Sequence, residues 1–373
     1  MPPPPRVASL AVLILLVGAT GTKRCATIET RNQSSQTEIP VFLRFQKTGS
    51  TLIEHAKQAH EPCTYDAQER CKKRQTHLEG NHEILHVFAK VHKDANNRTY
   101  SKQAALEELA RDMCPGPAPF PRLVVFSVLR EPLSRHFSEL YYAGGLQRYL
   151  GMLYRKPALQ PCRNASACKT VRVEIEHRFL EAPHTVTVTE MEGVIAMWRE
   201  STRDYAGVLD GGRAVRDGTV SVVGLTEYQG ATKALFADEF VWAYDFCQPE
   251  HFENVNPNHP LQKDFSCDVI NSTKRAFGDD IRVYEEARAA FRKRLMSIQE
   301  RLVSQDEATL HRMCGSSESQ PRCLQCIDGI LASALESLKG PPGRGDCWHT
   351  GDLPFTRVPP KAPKRAQSVP GTV

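Results

Sequence analysis

The chain has 373 residues and a formal net charge of +5, with 40% hydrophobic and 24% charged residues. This hydrophobic content is ordinary for a globular protein, and the length can form one large α/β domain with appendages or two small domains. The modest net charge gives no reason to expect nucleic acid as a partner, although local basic clusters could bind other polyanions.

The first 24 residues are predicted to be a targeting segment rather than part of the fold. A nearly continuous apolar run from Val7 to Gly21 lies between Arg6 on one side and Lys23 and Arg24 on the other. This run is shorter than the roughly 20 residues that a spanning helix needs. Because membranes of the early secretory pathway are thinner, an uncleaved signal anchor and a cleaved signal peptide both fit the pattern.

Either interpretation places the rest of the chain in the secretory lumen. The twelve cysteines are an even count, as expected for a chain that forms disulfides. N-glycosylation sequons, which also belong to this compartment, begin at Asn32, Asn97, Asn164 and Asn271. We therefore expect disulfide bonds and N-linked glycans.

Composition divides the remainder of the chain. We predict a polar stem at 25–38, a folded domain at 39–310, a cysteine-containing extension at 311–339 and a disordered tail rich in proline and lysine at 340–373. In the extension, Cys323 and Cys326 have the spacing of zinc ligands. Disulfides are more usual in the lumen, so we expect no metal there.

Apolar runs that read as buried strands alternate with amphipathic helices, which is typical of an α/β domain with a parallel sheet. The predicted strands are 41–45, 83–92, 122–129 and 219–225. The predicted helices are 103–113, 133–150, 170–181, 187–200, 231–246 and 281–302.

The turn after the first strand has the composition of an anion site. Residues Gln46–Thr51, here called the anion loop, contain one lysine, one glycine and three hydroxyl side chains. A strand, a tight turn and a helix direct backbone N–H groups and a helix N-terminus at an anion, and Lys47 adds a full charge. The loop is not the usual nucleotide P-loop, because no G-x-x-x-x-G precedes the lysine.

A second anion motif follows the strand at 122–129. Arg130 stands at the carboxyl end of that strand, and Pro132 suits the first turn of a new helix. Ser138 comes two turns into the helix. An arginine fork and a serine hydroxyl can converge on one phosphate at the edge where open α/β sheets bind ligands.

Together the two motifs, Lys-Thr-Gly-Ser-Thr and Leu-Arg-Glu-Pro-Leu-Ser-Arg-His-Phe-Ser, resemble the Golgi carbohydrate sulfotransferases. Among these the chain is most similar to the heparan sulfate 6-O-sulfotransferases, in patches from residue 41 to about 305. Val223–Gln229 and Tyr284–Phe291 resemble later motifs of that group. Ser50 and Glu131 depart from the glycine and aspartate usual there, and 143–220 matches little, so the acceptor sugar is less defined than the donor.

The resemblance implies a P-loop-like parallel sheet flanked by helices, in a single sulfotransferase domain of a type II Golgi membrane protein. It implies 3′-phosphoadenylyl sulfate (PAPS) as the cosubstrate, a glycan as the acceptor, and no metal. The implied 5′-phosphosulfate contacts come from Arg44, Lys47, Thr48, Gly49, Ser50 and Thr51, with Lys47 on the leaving group. The 3′-phosphate contacts come from Arg130 and Ser138.

The general base should be a histidine or a carboxylate. The 6-O-sulfotransferases have a Leu-His step between the two anion motifs, and Leu85-His86 resembles it. His86 is therefore the predicted base, with His92 second. The other histidines in this interval are His55, His60, His77 and His82. Glu227 could orient the site, but a structural role is the simpler interpretation.

The resemblance implies transfer of sulfate to the 6-hydroxyl of glucosamine in a heparan-like polysaccharide. The acceptor could be another glycan. A different class of function is a lumenal protein with the same fold that binds nucleotide or glycan without turnover. A kinase is disfavoured, because neither Walker glycines nor a clear magnesium-binding aspartate accompanies Lys47.

Overall fold

The computed structural model describes residues 38–43, 45, 48, 122–142, 144–155, 165–202, 204–240, 246–247, 262–314 and 320–339. The predicted targeting segment, the strand predicted at 83–92 and the C-terminal tail lie outside these ranges. Within them, none of the helices is long and apolar enough to cross a membrane.

The described part is mixed α/β and mostly helical, around a small parallel sheet. Strands β1 (Glu38–Leu43), β2 (Arg122–Leu129) and β3 (Val222–Leu225) are hydrogen-bonded in that order, with Phe42 opposite Phe126 and Leu129 opposite Leu225. All residues of β2 from Val124 onward are buried, as expected for a parallel strand covered on both faces. The parallel α/β prediction is confirmed at this level, although β1 begins earlier and β3 later than predicted.

Helices surround the sheet and are numbered here in chain order. They are α1 Pro132–Leu140, α2 Gly145–Leu153, α3 Ala165–Glu181, α4 Val188–Ser201, α5 Tyr205–Val208, α6 Arg213–Arg216, α7 Gln229–Phe240, α8 Cys267–Ala276, α9 Gly278–Val303, α10 Glu307–Cys314 and α11 Gln320–Ser337. Short 3₁₀ turns occur at Pro183–Thr185, Thr226–Tyr228 and Gln262–Asp264.

The prediction of one helix over 133–150 is wrong. The chain forms α1 and α2 instead, separated at Gly144, whose φ of 75° lies in the left-handed region that glycine adopts readily. The next residue, Gly145, passes so close to the backbone of α1 that an added Cβ would lie 2.3 Å from the Glu139 carbonyl oxygen. Two consecutive glycines therefore allow a tight turn that the helical pattern alone does not reveal.

The apolar side chains form two buried clusters. The first joins the sheet to α7, α9 and α11, and the second joins α1, α2, α3, α4 and α8. Helix α1 contributes Leu133, Phe137 and Leu140 to the second cluster. Because only two residues lie between the end of β2 and the start of α1, this helix connects the sheet directly to the second cluster.

The cysteine-containing C-terminal segment packs on the sheet cluster. Ile327, Leu331 and Leu335 of α11 are buried in it, and disulfides join Cys314 to Cys323 and Cys247 to Cys326. The two cysteines with zinc-ligand spacing thus belong to different disulfides, as expected for a lumenal chain. The predicted domain boundary at residue 310 stays a prediction, although the packing is continuous across it.

Candidate functional site

The carboxyl ends of the three strands meet at one threonine. The Thr226 hydroxyl lies 2.9 Å from the carbonyl oxygen of Thr48 and 3.1 Å from that of Leu129. Thr226 itself follows directly after β3. The turn after β1 and the ends of β2 and β3 are therefore joined at one place. We call Thr48, Arg130, Glu131, Thr226 and Glu227 the carboxyl edge.

Thr48 is the one residue of the anion loop that the structure describes. Its side chain is buried, and its hydroxyl donates to the carbonyl of Phe45 at 2.8 Å. This bond spans three residues and stabilises the turn after β1. The Thr48 hydroxyl proton thus serves the turn, so the contribution of Thr48 to anion binding would come from its backbone.

Arg130 lies at the end of β2, as predicted, and is half-buried. Its backbone N–H donates to the Tyr205 hydroxyl at 3.1 Å, and that hydroxyl donates to the Arg130 carbonyl at 3.0 Å. Its Nε atom is buried without a hydrogen-bond partner among the described residues. The backbone of Arg130 is thus fixed, while its guanidinium retains donor capacity for a ligand.

Glu131 occupies the N-terminus of α1. Its carboxylate accepts the backbone N–H groups of Leu133 at 3.1 Å and Ser134 at 2.6 Å, and Pro132 follows as the first helical residue. Burial raises the pKa of Glu131, and these two hydrogen bonds oppose that shift. Because the side chain caps the helix, a ligand at Arg130 would not use these two N–H groups.

Glu227 links the edge to α9. One carboxylate oxygen accepts the backbone N–H of Glu131 at 2.6 Å, and the other accepts the Tyr284 hydroxyl at 3.0 Å. Burial raises the pKa of Glu227, while the hydrogen bond from Glu131 and the charge of Arg130 act to lower it. Both oxygens have structural partners, which supports the structural interpretation of this residue.

Ser138 lies in α1, as predicted, and is half-buried. Ser134, one helical turn earlier, falls on the same face. The Ser134 hydroxyl accepts a hydrogen bond from the Gln262 side chain at 3.0 Å. The face of α1 that carries Ser138 thus meets the Gln262–Asp264 turn and remains partly open to solvent.

Arg135 has no predicted role in either anion motif, and it is 1% exposed. Its guanidinium carbon lies over the rings of Phe45, Trp198 and Tyr205, at 5.5, 5.3 and 4.6 Å from their centroids. These are cation–π distances. Arg135 lies three residues after the buried Pro132, so helical spacing could have predicted that Arg135 is buried. The aromatic partners of Arg135 could not be predicted in this way, because they come from distant segments.

The remaining predicted site residues lie outside the described residues. They are Arg44, Lys47, Gly49, Ser50 and Thr51 of the donor site, and His86 with its alternative His92. Their assignments stay predictions. Of the three that are described, Thr48 and Arg130 meet at the carboxyl edge, and Ser138 lies on the helix that leaves it.

Comparisons with protein-family models, with curated proteins and with solved structures find no match for this chain. In the described ranges, no three or more His, Cys, Asp or Glu side chains are grouped so that they could hold a metal ion. A functional assignment therefore depends on the residues of the carboxyl edge and on the sequence motifs that lead into it.

Proposed function

We propose that the protein transfers the sulfuryl group of PAPS to a glycan hydroxyl, most specifically the 6-hydroxyl of glucosamine in a heparan-like chain. The observation that carries this proposal is the Thr226 hydroxyl, which joins the carbonyls of Thr48 and Leu129. Thr48 follows Lys47 in the chain, and Leu129 precedes Arg130. One hydroxyl thus ties together the two motifs that carry the anion-binding residues.

The donor nucleotide carries two anionic groups, and the sequence has two cationic motifs that follow the neighbouring strands β1 and β2. Adjacent strands lie about 4.8 Å apart. PAPS carries a 3′-phosphate and a 5′-phosphosulfate on one ribose, so two anions must be bound side by side. In the proposed complex Lys47, Arg44 and the backbone and hydroxyl donors of Thr48–Thr51 bind the 5′ group. Arg130 and Ser138 bind the 3′-phosphate.

In the proposed reaction the acceptor hydroxyl oxygen attacks sulfur as the bond from sulfur to the 5′-phosphate oxygen breaks. The electron pair of that bond leaves with the phosphate, giving adenosine 3′,5′-bisphosphate, and His86 takes the hydroxyl proton. Lys47 stabilises the charge that develops on the leaving phosphate. The protein thus contributes positioning, electrostatic stabilisation and one proton transfer.

The N-terminal segment would hold this domain in the Golgi lumen as a type II membrane protein, where glycan acceptors are present. Secretion after signal cleavage would expose it to similar acceptors. The acceptor itself would contact the surface formed by 170–181 and 187–200, which are helical as predicted, in α3 and α4.

The direct test is to incubate the secreted lumenal part with labelled PAPS and separate heparan, chondroitin and keratan acceptors, and then to analyse the product disaccharides. We expect label on the 6-position of glucosamine from heparan, without a magnesium requirement. Label on another sugar would show that the proposed acceptor is wrong and that the proposed sulfate transfer is right. Nucleotide binding without transfer to any glycan would favour the binding-protein alternative, and magnesium-dependent phosphate transfer from ATP would favour a kinase.

A further inference from the structure

Tyr205 makes an unusual pair of contacts with Arg130. Its hydroxyl both accepts the Arg130 N–H, at 3.1 Å, and donates to the Arg130 carbonyl, at 3.0 Å. The side chain is fully buried, and the two residues are 75 positions apart in the chain. One hydroxyl therefore satisfies both backbone polar groups of the residue that directly follows β2, which fixes the backbone from which the guanidinium projects.

The ring of Tyr205 also contacts the residue just before the anion loop. It packs edge-on against Phe45, with ring centroids 4.8 Å apart and an interplanar angle of 87°. Phe45 immediately precedes that loop and is itself buried. The Arg135 guanidinium covers the Tyr205 ring at 4.6 Å and Phe45 at 5.5 Å. Tyr205 thus contacts the residue that precedes the anion loop and, through its hydroxyl, Arg130 of the second anion motif.

A separate element holds Tyr205 in place. Tyr205 begins the four-residue helix α5, whose N-cap Asp204 accepts the Gly207 N–H. The carboxylate of Asp280, from α9, accepts the Ala206 N–H at 2.9 Å. Because these contacts fix the first turn of α5 from two directions, the Tyr205 hydroxyl has little freedom to follow a displaced Arg130.

We propose that Tyr205 is a positioning residue that sets the preference of the site for a 3′-phosphorylated nucleotide. It acts by holding the Arg130 backbone in a fixed relation to Phe45, and it does not touch the nucleotide itself. This inference rests on the proposed function, since it assigns the 3′-phosphate to Arg130. It adds a residue that neither anion motif contains.

The test compares Tyr205→Phe with wild type, by calorimetric titration with adenosine 3′,5′-bisphosphate and with adenosine 5′-phosphate. The measured quantity is the ratio of the two affinities. Removal of the hydroxyl leaves two buried backbone groups of Arg130 without their partner, and we expect the ratio to fall about tenfold. Affinity for adenosine 5′-phosphate should change much less.

Tyr149→Phe is the matched control. Tyr149 is fully buried as well and belongs to the second cluster, away from the carboxyl edge. Its hydroxyl accepts a hydrogen bond from the Arg148 guanidinium and lies 3.4 Å from the Glu139 carboxylate. This variant should lose stability but keep the wild-type affinity ratio. In an Arg130→Ala background, Tyr205→Phe should cause no further fall in the ratio, because the residue through which it acts is gone.

The outcomes separate the two proposals. If wild-type protein binds neither nucleotide, the proposed function fails. If wild type prefers the 3′-phosphate and folded Tyr205→Phe keeps the same ratio, Tyr205 is not the positioning residue. Should Tyr205→Phe fail to fold, Phe45→Leu takes its place, because it removes the ring that Tyr205 packs against. A fall of about threefold in the ratio is then expected, and an unchanged ratio would overturn the inference.

Discussion

Tyr205 and Glu227, at the carboxyl edge, and His136, in the second cluster, are all polar residues at least partly buried, but their hydrogen bonding differs. At the edge the Tyr205 hydroxyl and the Glu227 carboxylate each make two hydrogen bonds. His136 lies in α1 and is fully buried, with the rings of Trp198 and Phe277 at 5.4 and 5.2 Å. Neither of its ring nitrogens has a hydrogen-bond partner among the described residues.

This difference determines how firmly each buried polar group is held in one direction. A satisfied buried network fixes the direction of each member, because any displacement leaves a polar group without its partner. A histidine among aromatic rings loses its hydration and gains no directional contact in exchange. The hydrogen-bonded groups at the edge therefore have fixed directions, whereas His136 is tolerated inside a cluster that apolar packing already stabilises.

The largest expected effect is on turnover, from replacement of His86, the proposed general base. His86→Ala should lower turnover by about 10²–10⁴-fold, which is the usual contribution of one positioned acid–base group. Nucleotide affinity should stay close to wild type, because the imidazole would face the acceptor hydroxyl. Sulfate-transfer kinetics together with nucleotide titration would measure both quantities.

The pH dependence of this variant provides a second check. Wild-type turnover should fall at acid pH as the base becomes protonated, and this limb should be absent from the His86→Ala profile. If His86→Ala retains full turnover while His92→Ala loses it, the base is His92, and the alignment of the Leu-His step is wrong.

The next largest effect is a loss of stability when the Glu227 carboxylate loses one of its hydrogen bonds. Tyr284→Phe removes the hydroxyl that donates to Glu227 and leaves a buried carboxylate oxygen without that partner. We expect the free energy of unfolding to fall by about 1–3 kcal/mol in urea denaturation at neutral pH. The control is Tyr228→Phe, whose hydroxyl is hydrogen-bonded, within the described part of the chain, to the Ser337 hydroxyl at 3.3 Å. Equal losses in the two variants would contradict the distinction drawn for the edge.

The smallest effect at neutral pH should come from His136→Leu. Replacing a buried polar group that has no partner with an apolar one is often neutral or stabilising, so we expect a change of about 1 kcal/mol or less. A large loss of stability in urea denaturation would mean that His136 makes a stabilising contact, and the contrast between the two regions would fail.

The free energy of unfolding at acid pH should also differ between wild type and His136→Leu. Burial lowers the pKa of His136 from 6.5 to about 3, and the charges of Arg135 and Arg199 act in the same direction. Since the unfolded chain takes up the proton first, this histidine makes stability fall as the pH decreases from about 6.5 towards 3. The slope from one such group is at most about 1.4 kcal/mol per pH unit.

Asp280 acts in the opposite direction. Burial raises its pKa from 3.8 to about 6, so the folded state binds this proton more tightly, and the resulting stability is lost as the pH rises from about 3.8 to 6. The difference between the wild-type and His136→Leu curves therefore isolates the histidine. Parallel curves from pH 7 to 4 would show that His136 does not titrate as described.

Local signals were sufficient to predict much of the sheet. Strand β2 occupies Arg122–Leu129, as predicted, because an uninterrupted apolar run marks a buried parallel strand. Pro132 marked the start of α1 because its fixed φ suits a first helical turn. The position of Arg130 at the end of β2 follows from these two boundaries, so this part of the candidate site could be located from sequence.

The contacts that organise the edge could not be predicted in this way. Tyr205 and Glu227 reach Arg130 and Glu131 across 75 and 96 residues, and no local pattern encodes such a pairing. His136 is different, because its spacing from Leu133 and Leu140 places it on the apolar face of α1. The C-terminal helix was also predictable in principle, since Ile327, Leu331 and Leu335 recur every four residues.

Arg130 tests the central claim most directly. Titration of wild type and Arg130→Ala with adenosine 3′,5′-bisphosphate should show a loss of about 1.5–3 kcal/mol in binding, the range expected for a charge-assisted contact. Arg148→Ala is a suitable control, because its guanidinium is half-exposed and pairs with Glu139 at 3.0 Å. We expect weakened binding only for Arg130→Ala. Unchanged affinity in folded Arg130→Ala protein would contradict the central claim.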